Sequence, residues 1–477
     1  MKKAVIKIIV IIIFFGGAYQ LINKKGSYSN KVERAKPNFI VIMADDLGYG
    51  DVGFNGSTEI PTPNIDRIAA NGIKFTNGYT SYSVCSPSRA GFITGRYQQR
   101  FGYERNIQYR PNDPNMGLPQ TEKTIPEILG QVGYKSRIIG KWHLGAHISN
   151  HPMNRGFTSF FGHLGGGHKY FPEELTIKDS YSFSDEPMSY KTWIMKDHTP
   201  VEIKNYLTDE FSDNALRFID KTQKDPFFLF VSYNAPHSPL QATEKYLSRF
   251  EHIEDPKRRT YAAMVSAVDD GVGKILDQLE AKGLNEKTLV FFLSDNGGPE
   301  HANSSDNGLL REGKGSIYEG GNRIPFAMQW PGELSPMVYD YPVSALDLMA
   351  TFADLADAPL AKDRPLDGVN IIPYIQGKKK GSPHSTLYIR KFDGDFYSVR
   401  DGDLKLVTKE NNSVKELYNL SEDISEDNDI AELYPQELIR LDSLRQKWDA
   451  ELIDPTFLGL MHTERYIQKR LNNKKRK

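Results

Sequence analysis

Unbroken apolar runs recur along the chain, and each one ends in polar residues. Residues 37–46 (PNFIVIMADD) close on Asp45 and Asp46, and residues 134–143 (YKSRIIGKWH) close on Lys141 and His143. Residues 226–237 (PFFLFVSYNAPH) close on His237, and residues 288–298 (TLVFFLSDNGG) on Asp295 and Asn296. Runs without alternation, bounded by turn formers, predict strands buried on both faces, as in a parallel sheet. Helical patterns lie between them. Residues 62–72 (TPNIDRIAANG) offer Thr62 as a cap, Pro63 at the first position and a Gly stop, while 255–283 is long and amphipathic. This alternation predicts an α/β fold with a large, mostly parallel central sheet flanked by helices. Ligands bind such sheets beyond the carboxyl ends of the strands. All four runs put Asp, Lys, His or Asn there.

The texture changes after about residue 375. Residues 386–407 (TLYIRKFDGDFYSVRDGDLKLV) alternate around a DGD turn and predict antiparallel strands. An acidic segment (421–437), a helix (436–452) and a basic tail ending NNKKRK follow. The organisation expected is a main domain over 37–379 and a smaller C-terminal α+β subdomain over 380–477, carrying an antiparallel sheet. The Gly-, Tyr- and His-rich connections 97–124 and 145–210 are too long for plain turns and are expected to build a pocket.

With 60 Lys plus Arg against 61 Asp plus Glu in 477 residues, the chain lacks the basic excess of a nucleic-acid binder. Its single Cys excludes an intrachain disulfide framework and any Cys-based zinc site. Met1-Lys2-Lys3 precedes a short apolar run that ends in Gly16, Gly17 and Ala18. That is the pattern of a signal peptide over 1–18, followed by a polar linker over 19–36. Export to the periplasm or the exterior is expected, with no stable membrane insertion after cleavage; an uncleaved anchor is the alternative. An exported protein with one unpaired thiol carries a liability unless that Cys has a task.

The cysteine lies in Cys85-Ser86-Pro87-Ser88-Arg89, where Ser then Pro marks a helix start. Cys85 is thus expected at a helix N-terminus, where backbone N–H groups favour an anion. Asp45, Asp46, Asp295 and Asn296 form an all-oxygen set, which suits a hard cation such as calcium, with magnesium the second choice. Residues 308–315 nearly spell a nucleotide-binding P-loop around Lys314. Gly315 stands where the hydroxyl residue is needed, and no strand runs into Gly308, so that reading is rejected.

Cys85-Ser86-Pro87-Ser88-Arg89 followed by Gly95-Arg96 resembles the C-x-P-S-R…T-G-R motif of the type I, formylglycine-dependent sulfatases, which are arylsulfatase-like members of the alkaline phosphatase superfamily. The resemblance extends over nearly the whole chain. It takes in residues 37–51, GKWHLG (140–145), APHSPLQ (235–241), SDNGG (294–298), residues 313–332 and ELYNLSEDISEDNDIA (416–431), in family order. It departs at Thr158, where the family often has Asp, and at Leu404, where it often has Trp.

The resemblance implies an alkaline-phosphatase-like fold and hydrolysis of sulfate monoesters. It implies that a maturation enzyme converts Cys85 to formylglycine (3-oxoalanine), and that one calcium ion is held by Asp45, Asp46, residue 85, Asp295 and Asn296. The hydrated aldehyde would attack sulfur, and the sulfated intermediate would collapse as a second hydroxyl loses its proton. Arg89 and Lys141 would then orient and neutralise the sulfate, and His143 would take the proton. His237 and Lys314 would contact the bridging oxygen, one of them protonating the leaving alcohol. Lys141, His237, Lys314 and His168 are the expected substrate contacts. Sulfated algal or host polysaccharides or oligosaccharides are the expected substrates. A phosphate or phosphonate ester hydrolase and a catalytically silent binder of sulfated glycans are the alternatives.

Overall fold

The structure, a computed structural model, describes residues 36–174, 192–222, 224–409 and 413–462. The expected signal peptide, nearly all of the expected linker and the basic tail lie outside these residues. The strands of the main body begin with β1 (Asn38–Ala44), β2 (Ile73–Phe75), β3 (Gly78–Tyr79), β4 (Lys135–Lys141), β5 (Ser159–His163) and β6 (Met195–Lys196). They continue with β7 (Thr199–Pro200), β8 (Phe227–Ser232), β9 (Thr288–Ser294), β10 (Phe326–Gln329), β11 (Met337–Tyr339) and β12 (Val343–Ser344). All but β3 and β12, which pair with each other, form one sheet in the order β11-β2-β10-β9-β1-β8-β4-β5-β6-β7. Its centre, β9-β1-β8-β4-β5, is wholly parallel, and antiparallel pairing enters through β10 on one side and β6 and β7 on the other. The four predicted strands are β1, β4, β8 and β9, the heart of this sheet.

Both faces of the sheet are covered, which is why these strands carry no polar alternation. Along β1, Phe39, Val41 and Met43 enter one apolar cluster while Ile40, Ile42 and Ala44 enter the other. The first face packs against α2 (Cys85–Thr94) and α5 (Asp347–Leu355). The second packs against α1 (Pro63–Ala70), α3 (Leu207–Lys221) and α4 (Pro256–Ala281). Thr62 occupies the N-cap position of α1, but its hydroxyl accepts from Gly53 N and donates to Asp66 instead of capping a helix N–H. Asp269 of α4 does that work, accepting from Asn64 N at 2.9 Å and Ile65 N at 2.8 Å. The segment 145–210 is not wholly loop. Its FFGH pairs with β4 to make β5, because both faces of that strand are also covered.

The C-terminal part is the antiparallel sheet β13 (Thr386–Lys391), β14 (Phe396–Asp401), β15 (Leu404–Lys409) and β16 (Val414–Asn419), with α6 (Pro435–Asp449) against it. Val399, Leu406, Leu417 and Leu441 form their shared core. A buried ionic chain ties this sheet to the main body. Lys405 lies 2.8 Å from both Glu319 and Glu426, and Glu319 also receives the Tyr79 hydroxyl at 2.6 Å.

Candidate active site

The carboxyl ends of β1, β4, β8 and β9 are in register, with Gly140 and Met43 both opposite Ser232 and Ala44 opposite Ser294. The residues just beyond them therefore meet above one edge of the sheet. Asp46 and His143 turn away from their strands with φ of 66° and 56°, in a region that non-glycine residues adopt only at some cost in strain. Gly140 makes a similar turn at φ 106°, where a Cβ would come within 1.9 Å of Ser232 O.

Cys85 begins α2, after Val84 in extended conformation, and is buried. Each side chain of the motif that follows is committed. Ser86 Oγ donates to His143 O at 2.7 Å, and Ser88 Oγ to Asp295 O at 2.5 Å. Arg89 places Nε and Nη2 each 2.9 Å from Asp295 Oδ2, and Nη1 2.5 Å from Ser232 Oγ. The Ser232 hydroxyl in turn donates to Lys141 O at 2.7 Å. This serine is a site residue that the apolar pattern of β8 gave no reason to single out.

Three carboxylates and three cations face one another around the thiol. Lys141 Nζ lies 2.6 Å from Asp45 Oδ2, and Lys314 Nζ lies 2.6 Å from Asp46 Oδ1 and 3.0 Å from Cys85 Sγ. Cys85 Sγ is 3.5 Å from Asp45 Oδ1, and His237 Nε2 is 3.6 Å from Asp46 Oδ2. Ligand atoms of Asp45, Asp46, Cys85 and Asp295 all fall within 4.8 Å of one another. Asn296 Nδ2 donates to Asp46 Oδ1 at 2.7 Å, whereas its buried Oδ1 has no hydrogen-bond partner. An orphaned carbonyl oxygen beside three buried carboxylates fits a metal site.

Burial, with Asp295 nearby, pushes Asp45 up to about 7 against the pull of Lys141 and Arg89. Burial also opposes ionisation of Asp46, but Lys314, His237 and Lys141 outweigh it and hold the carboxyl well below the usual range. Burial pushes the Cys85 thiol up to about 12, past the opposing effect of Lys141 and Lys314. Burial and then Lys141 and Arg89 hold His143 well below its ordinary value, and burial with Lys314 brings His237 to about 4 despite Asp46. Both imidazoles are neutral around pH 7.

The cluster forms the floor of a cleft of about 830 Å³. Segments 104–109 and 164–167 build its walls, so the two long connections do shape a pocket. The C-terminal part supplies further wall at Lys391, Asp393, Phe396 and residues 459–462, which the sequence reading did not anticipate. Cys85, His143, His237 and Lys314 line the cleft directly. His168, expected against substrate, does not. It is buried away from the cleft, its ring nitrogens 2.5 Å from Lys169 O and 2.8 Å from Thr192 O, so its polar atoms serve the backbone of its own loop.

Known proteins resemble this chain in sequence and fold. The family model described as Sulfatase matches residues 37–358. A protein of Escherichia coli (strain K12) named "Uncharacterized sulfatase YdeN" is 32% identical, with 90% of this chain and 84% of that protein covered. The human N-acetylgalactosamine-6-sulfatase is 35% identical, with 73% and 67% covered. The crystal structure of Ps i-CgsB in complex with k-i-k-neocarrahexaose superposes with a TM-score of 0.84 at 36% identity, covering 92% of this chain and 98% of that one. Motif, fold and sequence thus converge on one assignment. The chain belongs to the sulfatase family and is a sulfuric ester hydrolase of alkaline-phosphatase-like fold.

Proposed function

We propose that this sulfatase is exported and removes sulfate from sulfated polysaccharides or oligosaccharides, using a formylglycine made from Cys85 by a maturation enzyme and one calcium ion. The observation that carries the reading is the position of residue 85. It lies at a helix N-terminus on the floor of an 830 Å³ cleft, with Asp45 and Asp46 on one side and Lys314 at 3.0 Å on the other. The neighbour solved with k-i-k-neocarrahexaose and the relative named N-acetylgalactosamine-6-sulfatase together support a sulfated glycan as substrate.

Asp45, Asp46, Asp295 and Asn296 are the residues that would hold calcium, and the orphaned Asn296 Oδ1 fits that role. Bound there, the ion would supply positive charge to the sulfate, and the hydrated formylglycine would supply the nucleophilic hydroxyl. The rest falls to this chain's own groups. Arg89, pinned by Asp295 and Ser232, and Lys141, pinned by Asp45, set fixed positive charge beneath the reacting group. Neutral His143, with Nδ1 unpartnered, accepts a proton. His237 keeps its Nδ1 on Ser238 O at 2.6 Å and turns Nε2 toward the cluster. The leaving alcohol, which as a sugar alkoxide requires an acid, is protonated by Lys314, or by His237 once it has taken up a proton at Nε2.

The test is mass spectrometry of the peptide that spans Cys85, in protein matured in its native host. An aldehyde in place of the thiol is expected. An unmodified thiol there overturns the mechanism and favours a silent glycan binder. Turnover of nitrophenyl sulfate should exceed that of nitrophenyl phosphate; the reverse order would favour a phosphate ester hydrolase.

A further inference from the structure

Three consecutive residues join the nucleophile's helix to the tip of the β13–β14 hairpin. Asn106 Oδ1 accepts from Ser86 N at 3.0 Å, next to residue 85. Arg105 forks onto Asp393 through Nε at 3.1 Å and Nη2 at 2.7 Å. Glu104 accepts from both Nε and Nη2 of Arg390, and from Phe392 N at 3.3 Å. Two reciprocal Arg–carboxylate pairs therefore clamp residues 390–393 to the cleft wall in one geometry.

Lys391 is the product of that clamp. It ends β13 opposite Phe396, and its half-buried amine lines the cleft. The amine donates to Gly315 O at 2.5 Å, and Gly315 directly follows the lysine that touches Cys85. The Phe396 ring lies 5.7 Å away. Asp393 and Glu312 are the carboxylates whose charge reaches Lys391, yet neither is paired with it; Asp393 is taken by Arg105 and by His462 at 3.5 Å. Two of its three N–H groups have no acceptor among the described residues. A half-buried ammonium with no counter-ion is costly unless an anion arrives. The planar fork in this wall, Arg105, is already spent on a carboxylate. What remains is a point charge, which binds an oxyanion without needing the planar, bidentate match of an Arg fork.

We propose that Lys391 is a specificity-determining residue that receives a second sulfate group of the glycan, on a sugar next to the one being desulfated. This rests on the glycan sulfatase reading and narrows the substrate class to multiply sulfated chains lying from residue 85 to the hairpin tip. The cleft is at the large end of the range for small-ligand sites, which leaves room beyond a single sugar sulfate.

The experiment uses two oligosaccharides that differ only in that neighbouring sulfate, with wild type, Lys391→Met and Lys391→Arg. Methionine keeps the aliphatic stem and removes the charge. Wild type should favour the doubly sulfated substrate. The ratio of the two kcat/KM values should fall about tenfold or more in Lys391→Met, mainly through KM, and be largely retained in Lys391→Arg. No preference in wild type, or an unchanged ratio in Lys391→Met, overturns the assignment of Lys391 alone. If wild type cleaves nitrophenyl sulfate but neither oligosaccharide, the glycan reading falls and the assignment with it.

Discussion

Lys314 touches Cys85, Nζ to Sγ 3.0 Å, and with the same amine holds Asp46 at 2.6 Å. One cation thus bridges the nucleophile position and a carboxylate of the metal set, while His237 approaches that carboxylate from another side at 3.6 Å. Leaving-group chemistry separates the two. Substituting Ala for the residue that protonates the leaving alcohol should lower kcat on a sugar sulfate by about 10²–10⁴, with a far smaller effect on nitrophenyl sulfate. Substituting the other should lower both alike. Equal losses on both substrates for both variants would remove the acid role from each.

The orphaned Asn296 carbonyl makes metal binding measurable without turnover. Calcium added to chelator-treated protein should raise thermal stability, by about 2.7 kcal/mol at 100 times its dissociation constant, and magnesium should do less at equal concentration. Asn296→Ala should need more calcium for the same shift. No shift with either ion would sink the cation site.

Gly140 is held at φ 106° with no room for a methyl group, since a Cβ would meet Ser232 O at 1.9 Å. Gly140→Ala should cost about 3 kcal/mol or more in denaturant unfolding. Because Lys141 follows directly, kcat should fall as well. Near-normal stability would show that the strand end relaxes.

His384 Nε2 sits 2.7 Å from Asp347 Oδ1, where the segment leading to β13 crosses α5. Burial would lower its pKa from the ordinary 6.5, but Asp347 outweighs burial and raises it. A group whose pKa rises on folding stabilises the fold below its unfolded value and loses that contribution as pH climbs through the folded value. The stability gap between wild type and His384→Asn should therefore be widest below about pH 6.5 and close on the alkaline side. A gap independent of pH would mean the pair carries no charge.

The sheet's core was legible because strands covered on both faces must be continuously apolar, so β1, β4, β8 and β9 announced themselves, polar ends included. Outlying strands such as β2, β6 and β7 are two or three residues long and carry too little pattern to find. The cap of α1 was misread because Asp269, 205 residues from Asn64, outcompetes the local Thr62. The same holds for the cleft wall. Arg105 and Asp393 are 288 residues apart, and nothing local to either residue reports that they meet. His168 is expected to contact substrate, yet its ring is buried with a backbone carbonyl facing each nitrogen, contacts that nothing in its own stretch of sequence reports.

The run 104–106 has a consequence for how the enzyme becomes complete. It grips the start of α2 with one residue and the β13–β14 hairpin with the two before it. The central sheet and the acidic neighbours of residue 85 come wholly from residues before 380, but one wall of the cleft does not. Without the hairpin the cleft would be an open trough, and the Glu104 and Arg105 side chains would lose their partners at residues 390–393. The reaction chamber is closed by a part of the chain that follows every strand of the central sheet in sequence.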